Sequence, residues 1–179
     1  MSNSDGVRLG AFILATVGSL AIAGRTLIDP KRHGFFRFFG FEAIFALILV
    51  NSPGWFVDPL SLPQIGSWIL LFGSALLAVY SYALLRSNGK PTGGIEQTTR
   101  LVDVGVYRFI RHPLYASLVL FSCGALLKHI SPLAVGLTIF ASLCLIMTAL
   151  MEERENLRKF GGSYADYLRR TRRFLPFVF

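Results

Sequence analysis

The chain has 179 residues, a formal net charge of +8, 53% hydrophobic residues and only 16% charged ones. A soluble domain carries about 25% charged residues, so an ordinary soluble fold is excluded. The basic excess does not indicate nucleic acid, because the Lys and Arg residues fall between and after apolar runs, where they orient a membrane protein.

Five apolar runs of about 20 residues, the length that crosses ~30 Å of hydrocarbon, occupy most of the sequence. They predict an all-α, polytopic transmembrane helical bundle with no room for a separate soluble domain. The first run extends from Val7 to Ile28 and stops at Asp29-Pro30. It is too long for the apolar region of a cleaved signal, so it is expected to remain as a span. A basic stretch follows (Lys31, Arg32, His33, Arg37), then a second run from Phe38 to Val57, interrupted near its end by Asn51, Pro53 and Gly54. The linker Asp58–Pro63 leads into a third run, Gln64 to Leu85.

The segment from Arg86 to Arg111 is polar, with Gly89, Pro91, Gly93 and Gly94 at its start. Unpaired backbone of this kind cannot lie in lipid, and loops this long are usually functional or disordered. The fourth run, Leu114 to Leu127, is short for a span, and Lys128 and His129 are expected to snorkel at its end. Ser131-Pro132 turns the chain into a fifth run, Leu133 to Met151, and a charged amphipathic tail begins at Glu152. Small residues (Gly18, Ala21, Gly24; Gly66, Gly73, Ser74) are read as sites of close helix packing. Cys123 and Cys144 lie inside apolar runs and read as buried small hydrophobes rather than a disulfide or metal pair.

Placing the N-terminus outside puts 16 of the 18 basic residues in inside segments, leaving Arg8 and Lys128 outside. This bias predicts a cytoplasmic C-terminus and an odd number of spans. Two polar segments then meet at the cytoplasmic face: Leu101–Tyr115 entering the fourth span and Met151–Gly161 leaving the fifth. The short turn between those spans makes them an antiparallel hairpin, with His112 and Glu152/Glu153 at one depth. Pro113 suits the first turn of a helix. The free amides and positive potential there suit a carboxylate. Tyr115 lies on the same face as His112. An interfacial Arg-His-Tyr cluster is the plainer reading. Glu152 and Glu153 at a helix C-terminus oppose the dipole, which calls for a cationic ligand or for ion pairs with Arg154 or Arg158. Glu42, inside the second run, is either functional or paired with Arg37. The three histidines have no metal-ligand spacing, and Gly93-Gly94 is no phosphate loop.

The segment LVDVGVYRFIRHPLYAS, a span pair, EERENLRKFGGSYADYLRR and FLPF together resemble the isoprenylcysteine carboxyl methyltransferases, which group with membrane phospholipid methyltransferases. The likeness covers Leu101 to Pro176; the first three spans match only in being hydrophobic. It implies S-adenosyl-L-methionine as cofactor, bound at the cytoplasmic interface. Carried over by position, Leu101, Val102, Tyr107, His112, Pro113, Leu114, Tyr115 and Glu152 are cofactor-binding, and Arg111, beside the helix N-terminus, suits the cofactor's carboxylate and joins them. Glu152, Glu153 and His112 are catalytic candidates, and no metal is implied. Residues 1–100 are expected to hold three spans and their loops. Residues 101–179 are expected to hold the cofactor loop, the hairpin and the cytoplasmic tail, all in one integral domain.

The implied activity is methyl transfer to a lipophilic, membrane-associated small molecule or lipid in a prokaryotic inner membrane. Prenylcysteine-specific members carry Arg about one turn before the paired Glu, where this chain has Leu145–Leu150 with no basic residue. That departure favours a generic lipophilic amine, thiol or carboxylate, or a phospholipid, over prenylcysteine. The alternatives are a non-enzymatic membrane protein and a nicotinamide-dependent membrane reductase.

Overall fold

The computed structural model describes residues 3–23, 27, 33–92 and 98–175. Among them are six α-helices: α1 (Asn3–Ala23), α2 (His33–Asn51), α3 (Leu62–Gly89), α4 (Pro113–Leu126), α5 (Pro132–Phe160) and α6 (Gly162–Arg170). No strand forms among them, only an isolated parallel bridge between Ile110 and Arg172. α2, α3 and α5 are long and apolar enough to cross a membrane, while α4 and the apolar stretch of α1 are shorter. Asp29-Pro30, where the first run is expected to stop, Gly24, Gly93-Gly94 and Pro176-Phe177 lie outside the described residues.

Helix ends follow local chemistry. Pro stands in the first turn of α3, α4 and α5, where its missing N–H costs nothing. Ser131 caps α5 by accepting from the Ala134 amide. α2 begins five residues before the apolar run and tightens at its end into a 3-10 turn, Ser52–Gly54. α5 is the larger surprise. The apolar run stops at Met151, but Glu, Arg and Lys are good helix formers, and the helix continues to Phe160. Glu152 and Glu153 therefore lie about two turns inside the helix, and the expected conflict with its C-terminal dipole does not arise. Gly161, with φ +56°, stops α5 and redirects the chain into α6.

α2 packs chiefly on α5, α3 on α4, and α4 joins the two pairs through α5 and α2. The close approaches use small residues, though not all of those expected. Gly18 and Gly73 face open space. A side chain at Gly40 would crowd Cys144 on α5, and one at Gly124 would collide with Leu71 on α3. Ala43, Ala116, Ala141 and Ala149 fill the core with Ile44, Leu145 and Phe174. Ser67 Oγ donates to the Gly124 carbonyl at 2.7 Å, and Asn51 Nδ2 to the Ala125 carbonyl at 2.7 Å, tying α3 and α2 to α4. Both cysteines are free. Glu42 accepts a 2.6 Å hydrogen bond from Thr16 on α1, which pins that otherwise lipid-facing helix to α2.

At the end of the bundle where α3 begins and α4 stops, Lys128 does not snorkel. It is 4% exposed. Its Nζ donates to Gln64 Oε1 at 3.0 Å and lies 3.4 Å from the centroid of Trp68. A desolvated cation–π contact is worth about 2 kcal/mol. Lys128→Met is expected to lower stability by roughly that amount, seen as an earlier thermal unfolding transition in detergent. An unchanged midpoint would show the contact to be idle.

Candidate active site

The opposite end of the bundle contains a cavity of about 430 Å³. It forms where the N-terminal ends of α2 and α4 meet the C-terminal ends of α3 and α5, and α6 with the 98–112 segment closes its outer side. Four local devices build it.

The first is the segment before α4. Gly105, with φ +59°, opens a 3-10 turn (Gly105–Arg108), and a side chain at that position would strike Leu84 and Tyr80. The turn aims Tyr107 inward, 5% exposed, its hydroxyl 3.5 Å from the Ser81 carbonyl. The second device is α6. It lays Tyr164 and Tyr167, each 2% exposed, against the same wall, and the Tyr167 hydroxyl donates to the Tyr107 carbonyl at 2.7 Å. Burial pushes the pKa of all three phenols up, that of Tyr164 to about 12. They stand as neutral donors at physiological pH.

The third device is a clasp by the C-terminal tail. The Arg111 amide donates to the Arg172 carbonyl at 2.7 Å, the His112 amide to Arg173 at 3.1 Å, and the Arg172 amide to Phe109 at 3.0 Å. This pairing fixes the backbone that starts α4 and so sets the direction of His112. The fourth is the α4–α5 hairpin, which brings the acids to the histidine. Glu152 Oε2 lies 3.6 Å from His112 Nδ1, and Glu153 Oε1 lies 3.4 Å from His112 Nε2. The second approach is off the line a hydrogen bond requires, which leaves His112 Nε2 buried without a partner. The Tyr115 hydroxyl donates a very short hydrogen bond to Glu152 Oε1, and its ring stacks on His112 with centroids 5.7 Å apart.

The two neighbouring acids face different surroundings. Glu152 lines the cavity. Glu153 is turned away from it and clamps two guanidinium groups: Arg111 Nε at 2.9 Å, and Arg173 at 3.0 and 3.1 Å. Neither acid takes the surface ion pair with Arg154 or Arg158 that residue spacing alone would suggest. Arg111 reaches the cavity wall but is largely committed elsewhere, donating also to the Thr171 carbonyl at 2.6 Å.

Of the residues singled out in the sequence, Leu101, Val102, Tyr107, Arg111, His112, Pro113, Leu114, Tyr115 and Glu152 all line this one cavity. Sequence reasoning did not place Arg37 and Phe41 of α2, Ala78 and Leu85 of α3, Arg100, or Asn156 of α5 there. The first hundred residues thus supply part of the wall. Tyr164 and Tyr167 were visible as a spaced tyrosine pair in the tail, without an assigned place.

No individual curated relative matches the chain. The family profile for phospholipid methyltransferases matches residues 63–163, more than half of the sequence. That stretch runs from the first turn of α3 to the first turn of α6 and contains most of the cavity wall. With three helices long enough to span a bilayer, the chain is an integral membrane protein belonging to the phospholipid methyltransferase family.

Proposed function

We propose that the protein transfers a methyl group from S-adenosyl-L-methionine to a lipophilic acceptor drawn from the membrane, with the cavity as its active site. The observation that carries this reading is the cavity's composition: two carboxylates, Glu152 and Glu155, among Tyr107, Tyr115, Phe160, Tyr164 and Tyr167, with Glu152 the one beside His112 and Tyr115. A carboxylate among aromatic faces stabilises an organic cation, and the volume suits a nucleoside-sized ligand. His112 lines the same wall, with Nδ1 3.6 Å from Glu152 Oε2.

S-adenosyl-L-methionine held by Glu152 and the surrounding tyrosines would supply an electrophilic methyl on a sulfonium, for displacement by the acceptor's lone pair with a neutral thioether as the leaving group. Such a displacement needs alignment and exclusion of water more than strong acids or bases. Tyr115 holds Glu152 in place through Oε1, leaving Oε2 for His112 and for positive charge in the cavity. Glu152 can also accept the proton that an amine or thiol loses on methylation. Glu153 acts as a positioning residue in this reading. It fixes Arg111 and Arg173, and with them the backbone clasp that sets His112. Leu101, Val102, Leu114 and Pro113 provide apolar cover suited to an adenine ring.

The cavity end carries Arg37, Arg86, Arg111, Arg154 and Arg158, against Lys128 at the far end. The excess of basic residues at that end supports a site facing the cytoplasm.

Calorimetry of the purified protein with S-adenosylhomocysteine is the direct check. Binding with a dissociation constant in the micromolar range, about −8 kcal/mol, is the expected result. Folded protein that gives no heat at high micromolar ligand would sink the reading.

A further inference from the structure

The backbone clasp that closes the cavity has an inner and an outer face. Ile110, Thr171 and Phe174 are buried, while Phe109, Arg172 and Leu175 between and beside them are turned outward. The 3-10 turn ahead of the clasp leaves Val104 and Arg108 outward as well. Val104, Phe109 and Leu175 are 42%, 50% and 56% exposed. Large apolar side chains gathered on a loop and a tail, among guanidinium groups, mark a surface made for contact. None of these five residues lines the cavity.

Two markers give the depth of this face. His112 sits beside Glu152, one residue past Met151, where the apolar run of α5 ends. Phe174, next to Leu175, lies against His112 with ring centroids 6.1 Å apart. On the other side, Gly105 packs against Leu84 and Tyr80 of α3, whose apolar run ends at Leu85. Tyr80 is itself exposed, on the face of α3 that carries Ile69, Phe72 and Leu76. The clasp therefore stands where hydrocarbon gives way to headgroups, continuous with a lipid-facing helix surface. Its charge fits that layer. Arg108 and Arg172 are exposed and pair with no acid among the described residues. Asp103, the acid nearest in sequence to Arg108, is bound to Arg170 at 2.7 Å.

We infer that the outer face of the clasp, formed by Val104, Arg108, Phe109, Arg172 and Leu175, is a docking surface for the anionic headgroup layer of the surrounding bilayer. The apolar side chains rest at the hydrocarbon boundary, and the two guanidinium groups reach out to lipid phosphates. The contact takes no part in choosing an acceptor. It steadies the backbone pairing of Arg111 and His112 with Arg172 and Arg173, and through it the direction of His112. Cofactor affinity then rises with the negative charge of the membrane; this consequence rests on the methyltransferase reading, and the docking itself does not.

The test places the full chain in nanodiscs of phosphatidylcholine alone or of an equal mixture with phosphatidylglycerol, with no methyl donor present. Hydrogen exchange is followed at the clasp amides of Arg111, His112 and Arg172. Exchange is expected to be about tenfold slower in the anionic discs, the yield of two cations near a charged leaflet. Arg108→Gln combined with Arg172→Gln is expected to remove the difference. Arg169→Gln is expected to keep it, since Arg169 lies on the outer side of α6 beside Asp166. Phe109→Ser is expected to speed exchange in both kinds of disc, and Phe109→Trp to restore the native rate. S-adenosylhomocysteine is expected to bind more tightly in the anionic discs, and equally in both for the double variant.

Equal exchange in the two kinds of disc would overturn the docking surface. So would a difference that survives in the double variant, which would give the effect to other basic residues. Protection by poly-glutamate in nonionic detergent, with none from phosphatidylglycerol, would assign the face to an acidic protein and overturn it too. Protection that leaves S-adenosylhomocysteine affinity unchanged would cut the contact off from the site. Charge-dependent protection in a protein that never binds S-adenosylhomocysteine would retain the docking surface and defeat the methyltransferase reading alone.

Discussion

Glu152→Gln is expected to slow methyl transfer by about 100-fold or more, the range that a positioned proton acceptor contributes. The substitution keeps shape and keeps an oxygen to accept from Tyr115, so stability should change by less than about 1 kcal/mol. What it removes is the negative charge beside His112 and Tyr115, leaving Glu155 as the cavity's remaining carboxylate. The check is transfer of a labelled methyl group from S-adenosylmethionine into a total membrane lipid extract, with the unfolding midpoint recorded on the same preparations. Native-level transfer by a folded variant would remove Glu152 from the chemistry.

Glu153→Ala should act in the opposite sense, through the fold. The Glu153 side chain is 10% exposed, between Arg111 at 9% and Arg173 at 19%. Taking away the single acid leaves two guanidinium groups facing each other in a poorly hydrated place. Breaking a buried pair by removing one partner costs about 3–5 kcal/mol, a fall in melting temperature on the order of 10 °C. Adding Arg111→Met to Glu153→Ala should recover part of that loss, because it withdraws one of the stranded charges. A single variant that melts with the native protein would show the cluster to be solvated and weak.

The contrast between these two acids marks how far the sequence could be read. That His112 meets an acid pair was legible, because a short turn between two helices fixes their relative depth. That the pair divides its work was not. Successive residues on a helix are turned by about 100°, so Glu152 and Glu153 look to different partners. Only the three-dimensional placement of the tail, with Arg173 returning to the start of α4, shows which acid is enclosed.

Hydropathy likewise located the apolar runs but ended the fifth at Met151, since it registers lipid contact and not helix continuity. Arg37 was counted among the orienting cations. Its position on a cavity wall depends on the packing of α2 against α5, which no local pattern encodes. Lys128 was read by its type as a snorkelling residue, and two indoles from α3 and the preceding turn region decide otherwise. The all-helical architecture, by contrast, follows from composition and run length alone.

The shortness of α4 has a consequence for how the site is reached. Fourteen residues reach about 21 Å, against a hydrocarbon layer of ~30 Å. Its neighbours α3 and α5, at 28 and 29 residues, are long enough to span with some tilt. No residue of α4 is exposed, so the helices around it, rather than lipid, take up the difference. Glu152, level with His112, stands eight residues before the end of α5, about 12 Å along its axis. The start of α4 is thus recessed within the bundle, and a molecule coming from the bilayer would have to pass between the surrounding helices to meet it.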